Sequence, residues 1–91
     1  MKESYHPKAF LSLTKNVRLG LVARTKVILL LEKGEFTARA LAEKIGLSYS
    51  AVLHHLHLLE TENIIGRKGN KPFLWKLTGA GQQRLMNLNA Y

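Results

Sequence analysis

The stretch from Thr37 to Leu77 constrains the fold more than any other part of the chain, because it begins with two helix patterns separated by a short break. After Thr37, a residue type that caps helices at their N-terminus, small and aliphatic residues recur at three- and four-residue spacing. Gly46 follows, and glycine has the backbone freedom that a sharp turn between helices needs. Ser48 is the expected N-cap of the second helix. Residues 37–62 therefore predict two helices joined by a tight turn.

The second predicted helix has two different faces. Val52, Leu56 and Leu59 share one face at helical spacing, which predicts contact with the core. Small and polar side chains near the start of the opposite face suit close approach to base edges in a major groove of DNA. That opposite face carries Ser50, His54, His57 and Thr61.

A hairpin pattern follows the second helix directly. Asn63 tolerates the left-handed conformation that ends a helix, and Gly69 with the asparagine after it is a strong turn signal. On the return strand, Phe73 and Trp75 occupy alternate positions and are expected to point inward. Two helices followed by a hairpin are the layout of a winged helix-turn-helix, a mainly α fold with a small β-hairpin. In this layout residues 63–77 form the wing.

Basic residues dominate the chain, with 14 lysines and arginines against 6 acidic residues, a net charge of +8 and a pI near 10.1. Residues 63–91 contain five basic and no acidic side chains, so much of the excess lies in and after the wing. A basic half beside a helix-turn-helix indicates a polyanionic partner. No apolar run approaches the ~20 residues of a membrane span, so no membrane partner is expected.

These segments resemble the winged-helix regulators of the ArsR-like and MarR-like groups. RTKVILLLEKGEF is similar to the second helix and lead-in strand of ArsR-like proteins. SAVLHHLHLLETENII resembles their recognition helix, with His55-Leu56 on the family's His-Leu pair, and LTGAG resembles the Leu-Thr-x-x-Gly that follows the wing in MarR-like proteins. Leu53 departs from the pattern, because ArsR-like helices usually carry a serine there near DNA. The resemblance implies a sequence-specific transcription regulator that binds double-stranded DNA as a homodimer.

Three segments supply the predicted DNA contacts: the recognition helix at base edges, the preceding helix and its cap on the backbone, and the wing on flanking phosphate or in the minor groove. The recognition-helix residues are Ser48, Tyr49, Ser50, His54 and His57. The first-helix set is Thr37, Arg39 and Lys44, and the wing set is Arg67, Lys68, Asn70 and Lys71.

The single domain, residues 1–91, is expected to have further helices at about 7–19 and 79–89. Each carries an apolar stripe that either packs on its own domain or forms a dimer interface. The small core and the frequent palindromy of operators favour a homodimer. The predicted interface residues are Phe10, Leu13, Val17, Leu85 and Leu88.

Between these segments, a buried helix is predicted from Arg24 to Lys33, because it is apolar over more than half its circumference. Gly20 is expected to break the chain before this helix, and Gly34 to cap it. The short segment Glu35-Phe36 is predicted to pair with the wing. The side chain of Arg24 is expected to reach a phosphate or water.

Nothing in the chain supports catalysis, and no cofactor is expected. The chain contains neither aspartate nor cysteine, so a Ser-His-Asp triad and cysteine zinc sites are excluded, and GRKGNK lacks the spacing of a phosphate-binding loop. The histidines at 54, 55 and 57 are close in sequence, but the absence of a nearby carboxylate disfavours a metal site. His55 is instead predicted to be partly buried with locally bonded nitrogens. Because histidine has an ordinary pKa near 6.5, DNA affinity is predicted to rise at mildly acidic pH.

Two other functions are consistent with these residues. A non-specific architectural protein would bind phosphate with the same lysines. A protein-interaction module usually presents an apolar patch where this chain has a charged wing and a polar helix face. A small-molecule effector is unknown, and 91 residues leave room for a ligand pocket only at a dimer interface. The absence of cysteine and of an apolar leader predicts an intracellular, cytoplasmic and nucleoid-associated protein.

Overall fold

The computed structural model describes residues 4–12 and 15–79. Within these residues, three helices pack around a two-stranded antiparallel hairpin, which confirms the predicted winged helix-turn-helix. A 3₁₀ turn, Pro7–Ala9, precedes the first of these helices. The elements are α1 (Arg18–Leu31), α2 (Ala38–Ile45), α3 (Tyr49–Thr61), β1 (Ile65–Lys68) and β2 (Leu74–Leu77).

The helix-turn-helix begins and ends at the residues that the sequence predicted. The hydroxyls of Thr37 and Ser48 each accept a hydrogen bond, at 3.1 Å, from the backbone N–H three residues further on. Gly46 ends α2 at φ 84°, in the left-handed region that carries no steric penalty for glycine. Asn63 has φ 61° just after α3. These local determinants set the lengths of both helices.

The core lies between the three helices and the inner face of the hairpin. Trp75 is its largest side chain and is only 1% exposed. The backbone groups of Trp75 and Phe36 exchange two hydrogen bonds, of 2.8 and 3.2 Å, so the connection between α1 and α2 pairs with β2 as predicted. Other fully buried members of the core are Val27, Ile28, Leu41, Val52, Leu56, Leu59 and Ile64.

The prediction of a helix over residues 7–19 is wrong. Beyond Pro7–Ala9, the described residues before α1 are not helical, and α1 begins at Arg18, so Gly20 lies inside this helix. α1 also ends before Gly34, and Glu32 is its C-cap. The predicted helix 79–89 lies outside the described residues except for its first position.

Long-range hydrogen bonds explain the irregular N-terminal segment. The backbone N–H of Ser12 donates to both carboxylate oxygens of Glu62, each at 2.8 Å, near the end of α3. The backbone N–H of Leu11 donates to Asn16 Oδ1 at 2.7 Å. In a continuous helix these backbone N–H groups would donate to backbone carbonyl oxygens one turn earlier. Here they donate to side-chain oxygens of Asn16 and Glu62.

Of the predicted dimer residues, Phe10 and Val17 lie in or beside this N-terminal segment and are 43% and 53% exposed. Their exposure leaves them accessible to a partner, as a dimer interface requires. The other three predicted interface residues, Leu13, Leu85 and Leu88, lie outside the described residues.

Arg24 anchors the N-terminal segment to α1, contrary to the prediction that it reaches phosphate or water. The residue is 2% exposed, and its Nε donates to the carbonyl oxygen of Ala9 at 2.6 Å. A terminal nitrogen donates to Asn16 Oδ1 at 3.1 Å. Burial lowers the pKa of the guanidinium, while the charge of Glu62 opposes that shift. Gly20 makes room for this arrangement, since a Cβ there would lie 2.6 Å from Arg24 Nη1.

Candidate nucleic-acid interface

Helix α3 separates two concave surfaces of the molecule. Tyr49, Leu53 and His57, spaced by one helical turn, line a groove toward the hairpin, which we call the wing groove. The opposite flank of α3 lines a second concavity against α1, which we call the α1 cleft. The flank residues of the α1 cleft are Ala51, His54, His55 and Leu58.

The wing groove has a volume of about 660 Å³ and lies between α3, the start of α2 and the hairpin. Three segments that are separate in the sequence converge on it, and each of them was predicted to contact DNA. Cationic and polar side chains from all three segments therefore line one surface. The predicted contact residues in this lining are Thr37, Arg39, Tyr49, His57, Arg67 and Lys71.

Sequence reasoning missed the apolar part of this groove. Leu53, Pro72, Phe73 and Trp75 also line it, although none was predicted as a site residue. The Trp75 and His57 rings lie 6.2 Å apart between centres, with a tilt of 42°. The alternating pattern of the return strand predicts that the aromatic residues point inward. The alternating pattern does not indicate which helix the aromatic side chains contact.

Two of the four predicted wing residues are already paired with acidic side chains. Arg67 Nε lies 3.1 Å from Glu60 Oε2, and Lys68 Nζ lies 2.8 Å from Glu35 Oε1. The Arg67 guanidinium also lies 4.8 Å from the ring centre of Phe73. Pairs with this exposure contribute only about 0–1 kcal/mol to stability, but they orient the wing against the rest of the domain.

Arg39 and Lys71 differ from the paired cations of the wing groove. Both side chains are exposed, and neither forms an ion pair within residues 4–12 and 15–79. They come from opposite walls of the groove, one from α2 and one from the wing. Among the cations of the lining, these two are the ones most available to phosphate.

The other predicted contacts lie beside the wing groove. His54 lines the α1 cleft, with its ring centre 5.4 Å from that of His55. The Lys44 ammonium lies 5.6 Å from the ring centre of Phe36. The remaining predicted residues are exposed at the start of α3 or near the wing tip: Ser48, Ser50, Lys68 and Asn70.

His55 differs from its prediction in one respect. Its Nδ1 is buried and, within the described part of the chain, has no hydrogen-bond partner, whereas local bonds were expected for its ring nitrogens. Desolvation, together with the charges of Arg24 and His54, lowers the pKa of the His55 imidazole. The folded protein therefore favours the neutral form of His55.

This lowered pKa predicts a pH-dependent stability. Between the folded pKa of His55 and its unfolded value of about 6.5, the unfolded chain binds more protons, so the free energy of unfolding falls as pH drops through that range. Denaturant titrations at about pH 7.5 and pH 5.5 measure this decrease. The His55→Gln variant is expected to lose less stability than the wild type between the same two pH values. An equal decrease in both proteins would show that His55 is not responsible.

None of the helices within residues 4–12 and 15–79 is long and apolar enough to cross a membrane. Across those same ranges, no group of three or more histidine, cysteine, aspartate or glutamate side chains is arranged so that it could hold a metal ion.

Residues 22–66, from α1 into the hairpin, match the family model described as bacterial regulatory protein, arsR family. The matched range contains the whole helix-turn-helix and the first residues of the wing. No curated protein matches the chain.

Solved structures resemble the chain over most of its described length. The Zalpha domain of Carassius auratus PKZ, solved in complex with Z-DNA, is 32% identical, with a TM-score of 0.55 over 62% of this chain and 90% of that domain. A possible transcriptional regulator for arsenical resistance is 27% identical, with a TM-score of 0.65 over 76% of this chain and 73% of its own. The homodimeric winged helix-turn-helix DNA-binding domain Mb0332 of Mycobacterium bovis, a possible ArsR-family regulator, shares the fold at 20% identity, with a TM-score of 0.65 over 79% of this chain and 68% of its own.

Proposed function

Because this chain is a winged helix-turn-helix DNA-binding regulator of the ArsR-like group, we propose that it recognises specific sequences in double-stranded DNA as a homodimer. The group is a class of DNA-binding regulators, not a class of enzymes. The observation that carries the proposal is the convergence of α2, α3 and the wing on one groove with cations on its walls. The homodimer is supported by the homodimeric relative of the same fold and by the exposed apolar residues near the N-terminus.

In the proposed complex, α3 enters the major groove with its exposed face toward the bases. Ser50, His54 and His57 supply the hydrogen-bonding groups of that face. Arg39 and Lys71 contact the phosphates on either side, because among the lysines and arginines that line the wing groove they are the two without an acidic partner in the described ranges. In a symmetric dimer the two recognition helices would lie about 34 Å apart, in successive major grooves.

The ion pairs divide the wing cations into two roles. Arg67 and Lys68 hold the wing against Glu60 and Glu35, and so position it. Lys71, beyond the end of β1, is exposed for contact with the DNA backbone. A phosphate contact carries no direct sequence information, whereas a contact to a base edge does.

The Lys71→Ala variant is therefore expected to bind all duplexes more weakly by a similar factor. The dependence of log affinity on log salt should also become shallower by about one for each phosphate that the variant no longer neutralises. Fluorescence anisotropy titrations against a selected duplex and a scrambled duplex measure both quantities. Lys33→Ala is the matched control, because Lys33 is exposed beyond the end of α1 and outside the groove. Equal effects of the two substitutions would contradict the assignment of Lys71.

Selection from a randomised duplex pool tests sequence specificity. At near-physiological salt, the bound fraction should be enriched in an inverted repeat whose half-sites lie one helical turn apart. His57→Ala, in the wing groove, and His54→Ala, outside it, are expected to change the enriched sequence. Binding without enrichment would favour a non-specific architectural protein, and no binding would favour a protein-interaction module.

A second candidate function is the binding of left-handed DNA. The supporting observation is the 32% identity to a Zalpha domain solved with Z-DNA, 90% of which this chain covers. Left-handed DNA presents a zigzag phosphate backbone and no deep major groove. Its recognition would use the wing groove, where cations border an aromatic floor, and not the outer flank of α3. His57→Ala would then weaken binding, whereas His54→Ala would not.

Circular dichroism separates the two candidates. The protein is titrated into a duplex of alternating dC and dG at low salt, with a mixed-sequence duplex of equal length as the control. Inversion of the DNA spectrum in the first duplex alone would favour the left-handed form. An unchanged spectrum, together with an inverted repeat from the pool, would favour the regulator of right-handed DNA.

A further inference from the structure

The α1 cleft is a separate concavity on the flank of α3 away from the hairpin. It has a volume of about 550 Å³, within the range of about 300–1,000 Å³ that is typical of small-molecule sites. The sequence predicted that a ligand pocket needs a dimer interface, but one protomer already forms this open cleft. It shares no lining residue with the wing groove.

The walls of the α1 cleft are mainly aliphatic. Leu58 of α3, Ile45 of α2 and Val22 of α1 face one another across it. At its edge, Leu19 is 78% exposed and Leu47 is 39% exposed. Burying such side chains under an apolar group is favourable by about 25 cal/mol for each Å² of apolar surface removed from water.

All charged residues in the lining of the α1 cleft are basic. Lys15 and Lys26 are exposed, and Arg24 lies in the interior. Two histidines complete the polar lining, and no acidic residue from ranges 4–12 and 15–79 belongs to it. His55 also has a buried Nδ1 without a hydrogen-bond partner in the described ranges. An apolar surface whose charged lining residues are basic complements a molecule that is apolar and anionic.

A second copy of the chain is the rival occupant of this cleft, because Val17, a predicted dimer residue, also lines it. Lys15 and Lys26 favour an anion over a second copy, since each copy carries a net charge of +8 and like charges brought together are unfavourable.

We propose that the α1 cleft binds a small carboxylate with a compact apolar body. The apolar body packs against Val22, Ile45 and Leu58, and the carboxylate accepts hydrogen bonds from the lysines at the edge. The cleft shares His54 with the proposed contacts to right-handed DNA, so the proposal is tested on the free protein, where it does not depend on which form of DNA the protein binds.

Octanoate is a suitable probe, with octylammonium as a probe of equal chain length and opposite charge. Both are titrated, below their micelle-forming concentrations, into the full-length protein while backbone amide resonances are recorded. Octanoate is expected to shift resonances of the cleft residues in a saturable manner, with no comparable shift in the wing groove. Octylammonium is expected to give no saturable shift.

Variants test the two parts of the proposal separately. A double variant that carries Lys15→Gln and Lys26→Gln loses two positive charges at exposed positions. Its affinity for octanoate is expected to be about threefold to tenfold weaker. Lys33→Gln is the control for charge, since Lys33 does not line the cleft. Ala51→Phe places a large ring in the cleft and is expected to abolish binding.

Several results would overturn the proposal. Equal binding of octanoate and octylammonium would show that the cleft has no preference for anions. Saturable shifts only in the wing groove, no shifts at all, or equal weakening by Lys33→Gln would exclude a carboxylate site here. Resonances of the cleft that change with protein concentration in the absence of octanoate would identify a second copy as the occupant.

Discussion

Replacing Trp75 by alanine is expected to lower the free energy of unfolding by about 3–5 kcal/mol, the usual cost of truncating a large buried aromatic residue. Trp75 is 1% exposed and joins three parts of the fold. Its backbone bonds Phe36, its ring lies 6.2 Å from the His57 ring, and the Arg67 guanidinium lies 5.6 Å from its ring centre. The cavity left by this substitution would lie under the wing, so the wing groove would lose its floor.

Chemical denaturation of the wild type and two variants measures this effect. Leu74→Ala is the matched control, because Leu74 is the preceding residue of the same strand and is 37% exposed. Its destabilisation is expected to stay below about 1 kcal/mol, as for most exposed positions. A Trp75→Ala protein as stable as the Leu74→Ala protein would contradict the central position of Trp75. Trp75→Ala is also expected to weaken DNA binding more than Leu74→Ala does, since only Trp75 lines the groove.

The second large expected effect is the loss of DNA affinity as the salt concentration rises. A homodimer that neutralises about 6–10 phosphates is expected to bind about 10³–10⁵-fold more weakly at about 200 mM salt than at about 50 mM, because the DNA releases condensed counterions on binding. Arg67 and Lys68 already have acidic partners, so we expect a value near the lower end of that range. The slope of log affinity against log salt, divided by about 0.9, counts the phosphates contacted.

Titrations at four or more salt concentrations measure the slope. Glu60→Gln and Glu35→Gln, which release Arg67 and Lys68 from their pairs, are expected to steepen it if these cations then reach phosphate. In the proposed dimer each of the two wings contacts the DNA backbone. A slope that corresponds to fewer than about two phosphates would therefore exclude this dimer arrangement.

Much of the helix-turn-helix could be predicted from the sequence, because its determinants are local. The hydroxyls of Thr37 and Ser48 bond backbone groups only three residues away. Gly46 and Asn63 adopt positive φ angles at the ends of the two helices, as their residue types allow. Helix α2 therefore has the predicted bounds, and α3 begins where its cap predicted.

The N-terminal segment was predicted wrongly because its determinants are distant in the sequence. The pattern of apolar residues over 7–19 suits an amphipathic helix, but the backbone of Ser12 bonds Glu62, fifty residues further on. The buried Arg24 guanidinium bonds the Ala9 carbonyl in the same way. The spacing of neighbouring residues contains no information about hydrogen-bond partners that lie so far away in the chain. A basic residue in a mixed sequence also gives no sign of whether it is buried.

Residue types and their spacing were sufficient to predict the two helices and their turn, the hairpin and the basic character of the wing. These features depend on positions that lie close together in the chain. Three-dimensional packing was needed to establish that Tyr49 and His57 face the wing while His54 faces α1, that Trp75 forms the floor of the groove, and that Arg67 and Lys68 are paired. Each of these depends on contacts between segments far apart in the chain, where distances and burial determine which side chains meet.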